Sequence, residues 1–210
     1  RASSTPLLDD NTMSAARAMA TTQLPKQVHL ASAGDLQLML PIFEHEVSAI
    51  GYHPVSDNNV VSLVPTGSQA NSSLISRAVN WVLPDGEGPL YFLMGEGSGA
   101  GNVTTSIDIG APAGSVIYAP VDGTVAGIKS YQAKGKCEDT EIRIQPQSQS
   151  RFQVIMTHVD NTSISLGQPV KAGESRLGAV RSMDACMAQS LGRYTYDNGN
   201  HLHMQVELSR

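Results

Sequence analysis

The segment NHLHMQVEL near the end of the chain carries two histidines at a spacing that a metal site can use. Side chains alternate between the two faces of a β-strand, so His201, His203, Gln205 and Glu207 point to one side and the apolar residues between them to the other. Imidazole is the commonest zinc ligand, and two imidazoles on one face can share a metal ion or a bound water. By itself, an H-x-H pattern is more often structural than functional.

Two residues elsewhere in the sequence could join these histidines. His158 ends the apolar run FQVIMTHV, and a sheet could bring it beside the H-x-H pair. Asp108 stands among β-branched residues, where burying an unpaired carboxylate is costly, so we expect it to meet a metal ion, a histidine or a backbone cap. The structural alternatives are a strand-end histidine bonded to a carbonyl and an aspartate that caps the turn at Gly110.

The elements that must position these residues are short strands. Beyond residue 95, β-branched runs alternate with Gly, Pro, Asn and Asp, which predicts an all-β structure. Before residue 95, helical spacing of apolar residues predicts a helix over 72–83. We therefore expect a flexible segment (1–30), a small α/β appendage (31–95) and a mainly antiparallel β domain (96–210). The predicted strands are TTSIDIG, SVIYAPV, GTVAGIKSY, TEIRIQP, FQVIMTHV and HLHMQVEL.

Composition narrows the class of protein. The chain has 210 residues, of which 40% are hydrophobic and 16% charged, which indicates a globular protein and excludes a disordered acidic chain. A net charge of -5 without a basic cluster argues against nucleic acid as a partner. No apolar run approaches the roughly 18 residues of a membrane-spanning helix.

The two cysteines leave two alternatives open. A bond between Cys137 and Cys186 would close a loop that the chain-entropy model credits with roughly 4 kcal/mol in an oxidising compartment. The other alternative is two free thiols in surface loops. The chain begins with Arg1 and a stretch rich in Ser, Thr and Ala. We therefore expect an extracytoplasmic protein, secreted or periplasmic, from which any signal peptide or anchor has been removed.

Four motifs occur in a characteristic order: IDIGAPAGSVIYAPVDGTV, VIMTHVD, VKAGESRLG and NHLHMQVEL. Together they resemble the lysostaphin-like, LytM-type zinc endopeptidase domain, and the resemblance covers residues 102–208. It implies an antiparallel sheet with a groove above it, a catalytic zinc ion, and activity on the peptide cross-bridges of peptidoglycan. The longer segment MDACMAQSLGRYTYDNGN before the last strand departs from the family and implies a remodelled groove wall.

The resemblance also implies roles for individual residues. Asp108 and His203 match two of the zinc ligands, and His158 and His201 match the two histidines that flank the catalytic water. The third ligand position falls on Thr104, and a hydroxyl does not replace an imidazole. Because a catalytic zinc site needs three protein ligands, the incomplete set predicts no bound cofactor and favours a non-catalytic protein.

Three functions follow. The favoured one is an inactive module that binds peptidoglycan, a cell-wall hydrolase or another envelope protein through its groove. The alternative is an active zinc endopeptidase in which another side chain completes the site, with His53, His45, Asp57 and Cys186 as candidates. The third is a carbohydrate- or surface-binding β-domain that kept the fold for structural reasons alone.

Overall fold

The computed structural model describes residues 24, 26–71, 88–95, 104–133, 137–183, 186, 190–195 and 199–209. These residues form β-strands joined by turns, with short 3-10 turns at Glu44–Glu46 and Ser190–Arg193. In chain order the strands are β1 (His29–Ala33), β2 (Leu36–Met39), β3 (Ala49–His53), β4 (Val64–Pro65), β5 (Ser68–Gln69), β6 (Leu90–Leu93), β7 (Ser106–Gly110), β8 (Val116–Tyr118), β9 (Gly123–Ala133), β10 (Cys137–Pro146), β11 (Phe152–Thr157), β12 (Val159–Asp160), β13 (Pro169–Val170), β14 (Arg176–Val180) and β15 (His201–Leu208).

A nine-stranded sheet dominates the architecture, with the strand order β13-β9-β10-β11-β15-β7-β3-β6-β5. Neighbouring strands run antiparallel except at one edge, where β6 is parallel to both β3 and β5. Two three-stranded sheets, β2-β1-β4 and β12-β14-β8, accompany it. The predicted antiparallel β fold is thus confirmed, and all six strands predicted beyond residue 95 are present.

The core lies on one side of the central strands. Leu202, Met204 and Val206 of β15 are fully buried, as the alternation of the sequence predicts, and they belong to the same hydrophobic cluster as Ile107 of β7 and Leu30 of β1. Each such side chain contributes about 1.5 to 3 kcal/mol when removed from water. Burial of the apolar face fixes the register of the strands and leaves their polar residues on the opposite face.

Strand β3 is placed in the central sheet by the same rule. Ile50 and Tyr52 are buried, and the Tyr52 hydroxyl donates a 2.8 Å hydrogen bond to the carbonyl of Leu30. Gly51 and His53 alternate with them and so face the polar side. A Cβ atom on Gly51 would come within 2.6 Å of the end of the Met94 side chain, so a larger residue there would require that flexible side chain to shift.

The region before residue 95 contributes a strand to the central sheet. The helix predicted over 72–83 lies outside the described residues. The described part of 31–95 consists of strands and one 3-10 turn, and its strand β3 pairs with β7 of the second region. The boundaries predicted at residues 31 and 96 stay predictions. The described residues contain no helix of the length and hydrophobicity that a bilayer span requires.

Candidate metal centre

Asp108 is the centre of the site. It lies in β7, directly opposite His203 of β15 and Gly51 of β3. Its side chain is 6% exposed, and its Oδ1 lies 2.8 Å from His203 Nδ1 and 3.1 Å from His53 Nε2. His201 Nε2 is 3.6 Å from the same oxygen. A single buried carboxylate oxygen is therefore surrounded by three imidazole nitrogens from two neighbouring strands.

Carbonyl groups orient the two nearest imidazoles. His53 Nδ1 lies 3.1 Å from the carbonyl oxygen of Pro54, and His203 Nε2 lies 3.3 Å from Gln205 Oε1. The amide of Gln205 faces this way because its Nε2 donates a 2.7 Å bond to Glu207. A carbonyl oxygen only accepts hydrogen bonds, so the nitrogen that faces it carries a proton, which is Nδ1 in His53 and Nε2 in His203. In the neutral ring the other, inner nitrogen then presents its lone pair to the carboxylate of Asp108.

This arrangement fits a metal ion. An imidazole lone pair and a carboxylate oxygen repel each other unless a cation, either a proton or a metal ion, lies between them. The three ligand atoms of His53, Asp108 and His203 lie within 4.8 Å of one another. Tetrahedral zinc holds its ligands about 3.4 Å apart, so the observed contacts need to open only slightly. Two imidazoles and a carboxylate, each imidazole held by an outer carbonyl, form a donor set typical of catalytic zinc.

The electrostatics keep the central carboxylate ionised. Burial alone would raise the pKa of Asp108, but the hydrogen bonds with His203 and His53 outweigh it and hold that pKa well below its ordinary value. Burial alone would lower the pKa of His53, but its hydrogen bond and charge interaction with Asp108 raise it. Burial lowers the pKa of His201. The site thus concentrates negative charge at one oxygen, where a cation is favoured.

The two remaining predicted histidines border the same space. The Nδ1 of His201 donates a 2.9 Å hydrogen bond to the carbonyl of Gly199, which leaves Nε2 toward Asp108. The ring of His158 stands perpendicular to that of His201, with their centroids 4.9 Å apart, and lies 6.2 Å from that of His203. The structure therefore brings together all four residues that the family resemblance implied.

The Thr104 side chain is hydrogen-bonded to a neighbouring loop. Its hydroxyl donates a hydrogen bond to the carbonyl of Leu63, and its own carbonyl accepts a 2.6 Å bond from the Leu63 amide. Threonine at this position thus ties the start of β7 to the loop that precedes β4.

Of the four candidates for a replacement ligand, His53 is the one that joins the cluster. Among the described residues, no other His, Cys, Asp or Glu completes a metal-binding group. Cys186 offers no thiolate because it forms a disulfide bond with Cys137, which is the pairing that the sequence left open. Asp57 accepts a local 2.9 Å hydrogen bond from the amide of Asn59.

Sequence reasoning missed the groups that surround His158. Asp139 of β10 accepts a 2.8 Å hydrogen bond from His158 Nδ1, and Tyr131 and Arg181 contact the same carboxylate. The side chain of Asp139 is fully buried. A signal was present, since an acidic residue close to a β-branched run is the same feature that singled out Asp108.

A cleft of about 330 Å³ opens beside the centre. Its lining includes His53, Asp108, Met94, Arg193 and Tyr194. Arg193 and Tyr194 belong to the long segment that the sequence predicts to remodel the groove wall. The cleft therefore opens onto two of the three candidate metal ligands.

Several solved structures resemble the chain. Lysostaphin from Staphylococcus simulans is 18% identical over 54% of this chain and 40% of that chain, with a TM-score of 0.39. A zinc-containing peptidase from Vibrio cholerae is 22% identical over 52% of this chain and 29% of that chain, with a TM-score of 0.36. The catalytic domain of a single-site mutant of the prophage-encoded M23 protein EnpA from Enterococcus faecalis is 22% identical over 55% of this chain and 76% of that chain, with a TM-score of 0.38.

The chain spans 40% and 29% of the lengths of the first two proteins. No curated protein matches it. The model of peptidase family M23 matches residues 102–210, slightly more than half of the sequence. That match contains Asp108, His158, His201 and His203 and leaves His53 outside it. The chain therefore belongs to peptidase family M23.

Proposed function

We propose that this chain is a zinc-dependent peptidase in which His53 takes the ligand role that Thr104 cannot fill. One observation carries the proposal: His53 Nε2 and His203 Nδ1 converge on the buried Oδ1 of Asp108 at 3.1 and 2.8 Å, and each ring has its outer nitrogen held by a carbonyl. This geometry favours the active alternative over the inactive module that the incomplete motif predicts.

The ion would be held by His53 Nε2, Asp108 Oδ1 and His203 Nδ1. Zinc bound there would supply a Lewis acid that activates water and polarises a carbonyl group. His158 and His201 each have Nδ1 bonded to an acceptor, so their Nε2 atoms are the ones available to a substrate. In the proposed hydrolysis they accept a proton from the attacking water, hydrogen-bond the carbonyl oxygen and return a proton to the leaving amine.

The proposed substrate is a peptide of the bacterial cell wall, as the resemblance to lysostaphin-like domains implies. The open cleft beside His53, with a volume of about 330 Å³, suits a peptide side chain or a short cross-bridge. The disulfide between Cys137 and Cys186 supports a location outside the cytoplasm, because such bonds persist in oxidising compartments.

Metal content and digestion test the proposal together. The purified chain is dialysed against zinc, freed of excess ion and assayed for zinc per protein and for release of peptides from purified peptidoglycan. We expect one zinc per chain and digestion that a chelator abolishes. His203→Ala removes both, whereas His45→Ala, a histidine outside the cluster, leaves both unchanged. A wild-type chain that takes up no zinc would overturn the proposal.

A further inference from the structure

We infer that Asp139 is a positioning residue that fixes the ring orientation and the tautomer of His158. Its Oδ2 accepts a 2.8 Å hydrogen bond from His158 Nδ1 and lies 3.3 Å from the backbone nitrogen of the same residue. Two donors of one histidine thus meet one carboxylate oxygen. The consequence for catalysis rests on the proposed peptidase function, whereas the orientation of the ring does not.

Asp139 is itself held firmly. Its side chain is fully buried, the Tyr131 hydroxyl donates a 2.6 Å bond to Oδ2, and the Thr140 amide donates a 2.7 Å bond to Oδ1. Arg181 Nε lies 3.6 Å from Oδ1. A carboxylate with this many partners has little freedom to rotate, so it can define the position of the imidazole.

Ionisation of Asp139 decides which nitrogen of His158 carries the proton. Burial alone would raise the pKa of Asp139, but the hydrogen bonds from His158 and Tyr131 outweigh it and hold the pKa below its ordinary value. An ionised carboxylate only accepts hydrogen bonds. Nδ1 of His158 therefore carries a proton, and the lone pair of the neutral ring lies on Nε2.

The backbone at His158 is consistent with this constraint. Its φ is 64°, in the left-handed region that non-glycine residues seldom adopt, and it connects β11 with β12. The carbonyl of His158 accepts a 2.9 Å bond from the Arg181 amide, which anchors the turn from the other side. In this conformation both the amide and the ring of His158 reach Asp139, and the ring stands against His201.

Asp139→Asn is the informative substitution, because the amide keeps the size of the side chain but can present either an acceptor or a donor to His158. Glu138→Gln is the matched control, since Glu138 is the exposed neighbour on β10 and has no part in the site. The tautomer of His158 is measured by 15N NMR of histidine-labelled protein at about pH 8, where an ordinary imidazole is neutral. Spectra are recorded on the zinc-loaded chain and after chelation.

We expect the wild-type protein and Glu138→Gln to show His158 protonated on Nδ1 alone. In Asp139→Asn the two tautomers should mix, zinc content should stay the same, and kcat on a cell-wall peptide should fall about 10- to 100-fold with KM within about twofold. A wild-type His158 protonated on Nε2, or an Asp139→Asn protein with an unchanged tautomer, would overturn the inference.

The wild-type spectrum keeps the test decisive where a variant fails. If Asp139→Asn does not fold, the tautomer of His158 in the wild-type protein decides the inference, and a ring protonated on Nε2 would overturn it. If the chain has neither zinc nor activity, the proposed function fails, and the wild-type tautomer alone decides the role of Asp139.

Discussion

The two halves of the chain contribute to the site in different ways. The family-matched region, 102–210, supplies Asp108, His158 and the H-x-H pair within recognisable motifs. Among the described residues of the region before it, His53 is the side chain that joins the group of possible metal ligands, and no motif surrounds it. Yet His53 Nε2 lies 3.1 Å from the central carboxylate, between His203 Nδ1 at 2.8 Å and His201 Nε2 at 3.6 Å. The comparison teaches that a side chain's place in the sheet, and not a motif around it, decides whether it reaches the central carboxylate.

Packing explains how a residue outside the match is held in position. Strand β3 is hydrogen-bonded to β7, and the carbonyl of His53 accepts a 2.8 Å bond from the Ser106 hydroxyl. Strand β3 also shares one hydrophobic cluster with the second region through Ile50 and Tyr52. His53 is therefore anchored by the same core as Asp108, since both regions bury their apolar faces together.

Replacing His53 is the most direct test of what the region before residue 102 contributes to zinc binding. We expect His53→Ala to lower zinc affinity by more than about 100-fold, because loss of an outer partner alone costs about 10- to 100-fold and this change removes a ligand. Zinc titration followed by elemental analysis measures the change, with His45→Ala as the control. An unchanged affinity would mean that the matched region holds the ion without help from the first region.

Replacing Gln205 is expected to cause the next largest loss of zinc affinity. Its Oε1 accepts the 3.3 Å bond that orients His203, so Gln205→Met keeps the size of the side chain and removes the acceptor. We expect zinc affinity about 10- to 100-fold weaker, with one zinc per chain at saturation. Competition with a chelator of known affinity measures the zinc affinity of the variant. An affinity equal to that of the wild-type protein would contradict a role of Gln205 in orienting His203.

The disulfide should affect stability and leave metal binding alone. Cys137 and Cys186 are separated by 49 residues, and neither lies on a strand that carries a proposed ligand. Replacing both by serine should lower the free energy of unfolding by about 4 kcal/mol, because the unfolded chain regains the entropy of an open loop. Urea denaturation measures the loss. A fall in zinc stoichiometry of the folded variant would contradict this separation of roles.

Thr104 should give the smallest effect. Thr104→Val keeps the shape of the side chain but loses the hydrogen bond to the Leu63 carbonyl, so stability should fall by about 1 kcal/mol with zinc binding unchanged. Thermal unfolding and zinc titration check the two parts. Weaker zinc binding would indicate that Thr104 takes part in the site and would contradict the proposal that His53 is the third zinc ligand.

Much of the fold was predictable because it depends on local pattern. Alternation in HLHMQVEL predicts which side of β15 is buried, and the structure confirms it at Leu202, Met204 and Val206. The ordered motifs predict which histidines and which aspartate converge. Asp139 was accessible to the same reasoning but was overlooked, because a lone acidic residue near the start of a strand has no spacing partner in the sequence.

The sequence by itself determined the β class, the sidedness of its strands and the absence of a histidine at position 104. Only the tertiary structure decided that β3 lies beside β7 and turns His53 toward Asp108. The pairing joins residues 55 positions apart, and its partner is selected by burial of a shared core that no local window contains. Strand pairing at that separation depends on the free energy of the whole fold, so the proximity of His53 to Asp108 can be read from the tertiary structure and not from the sequence.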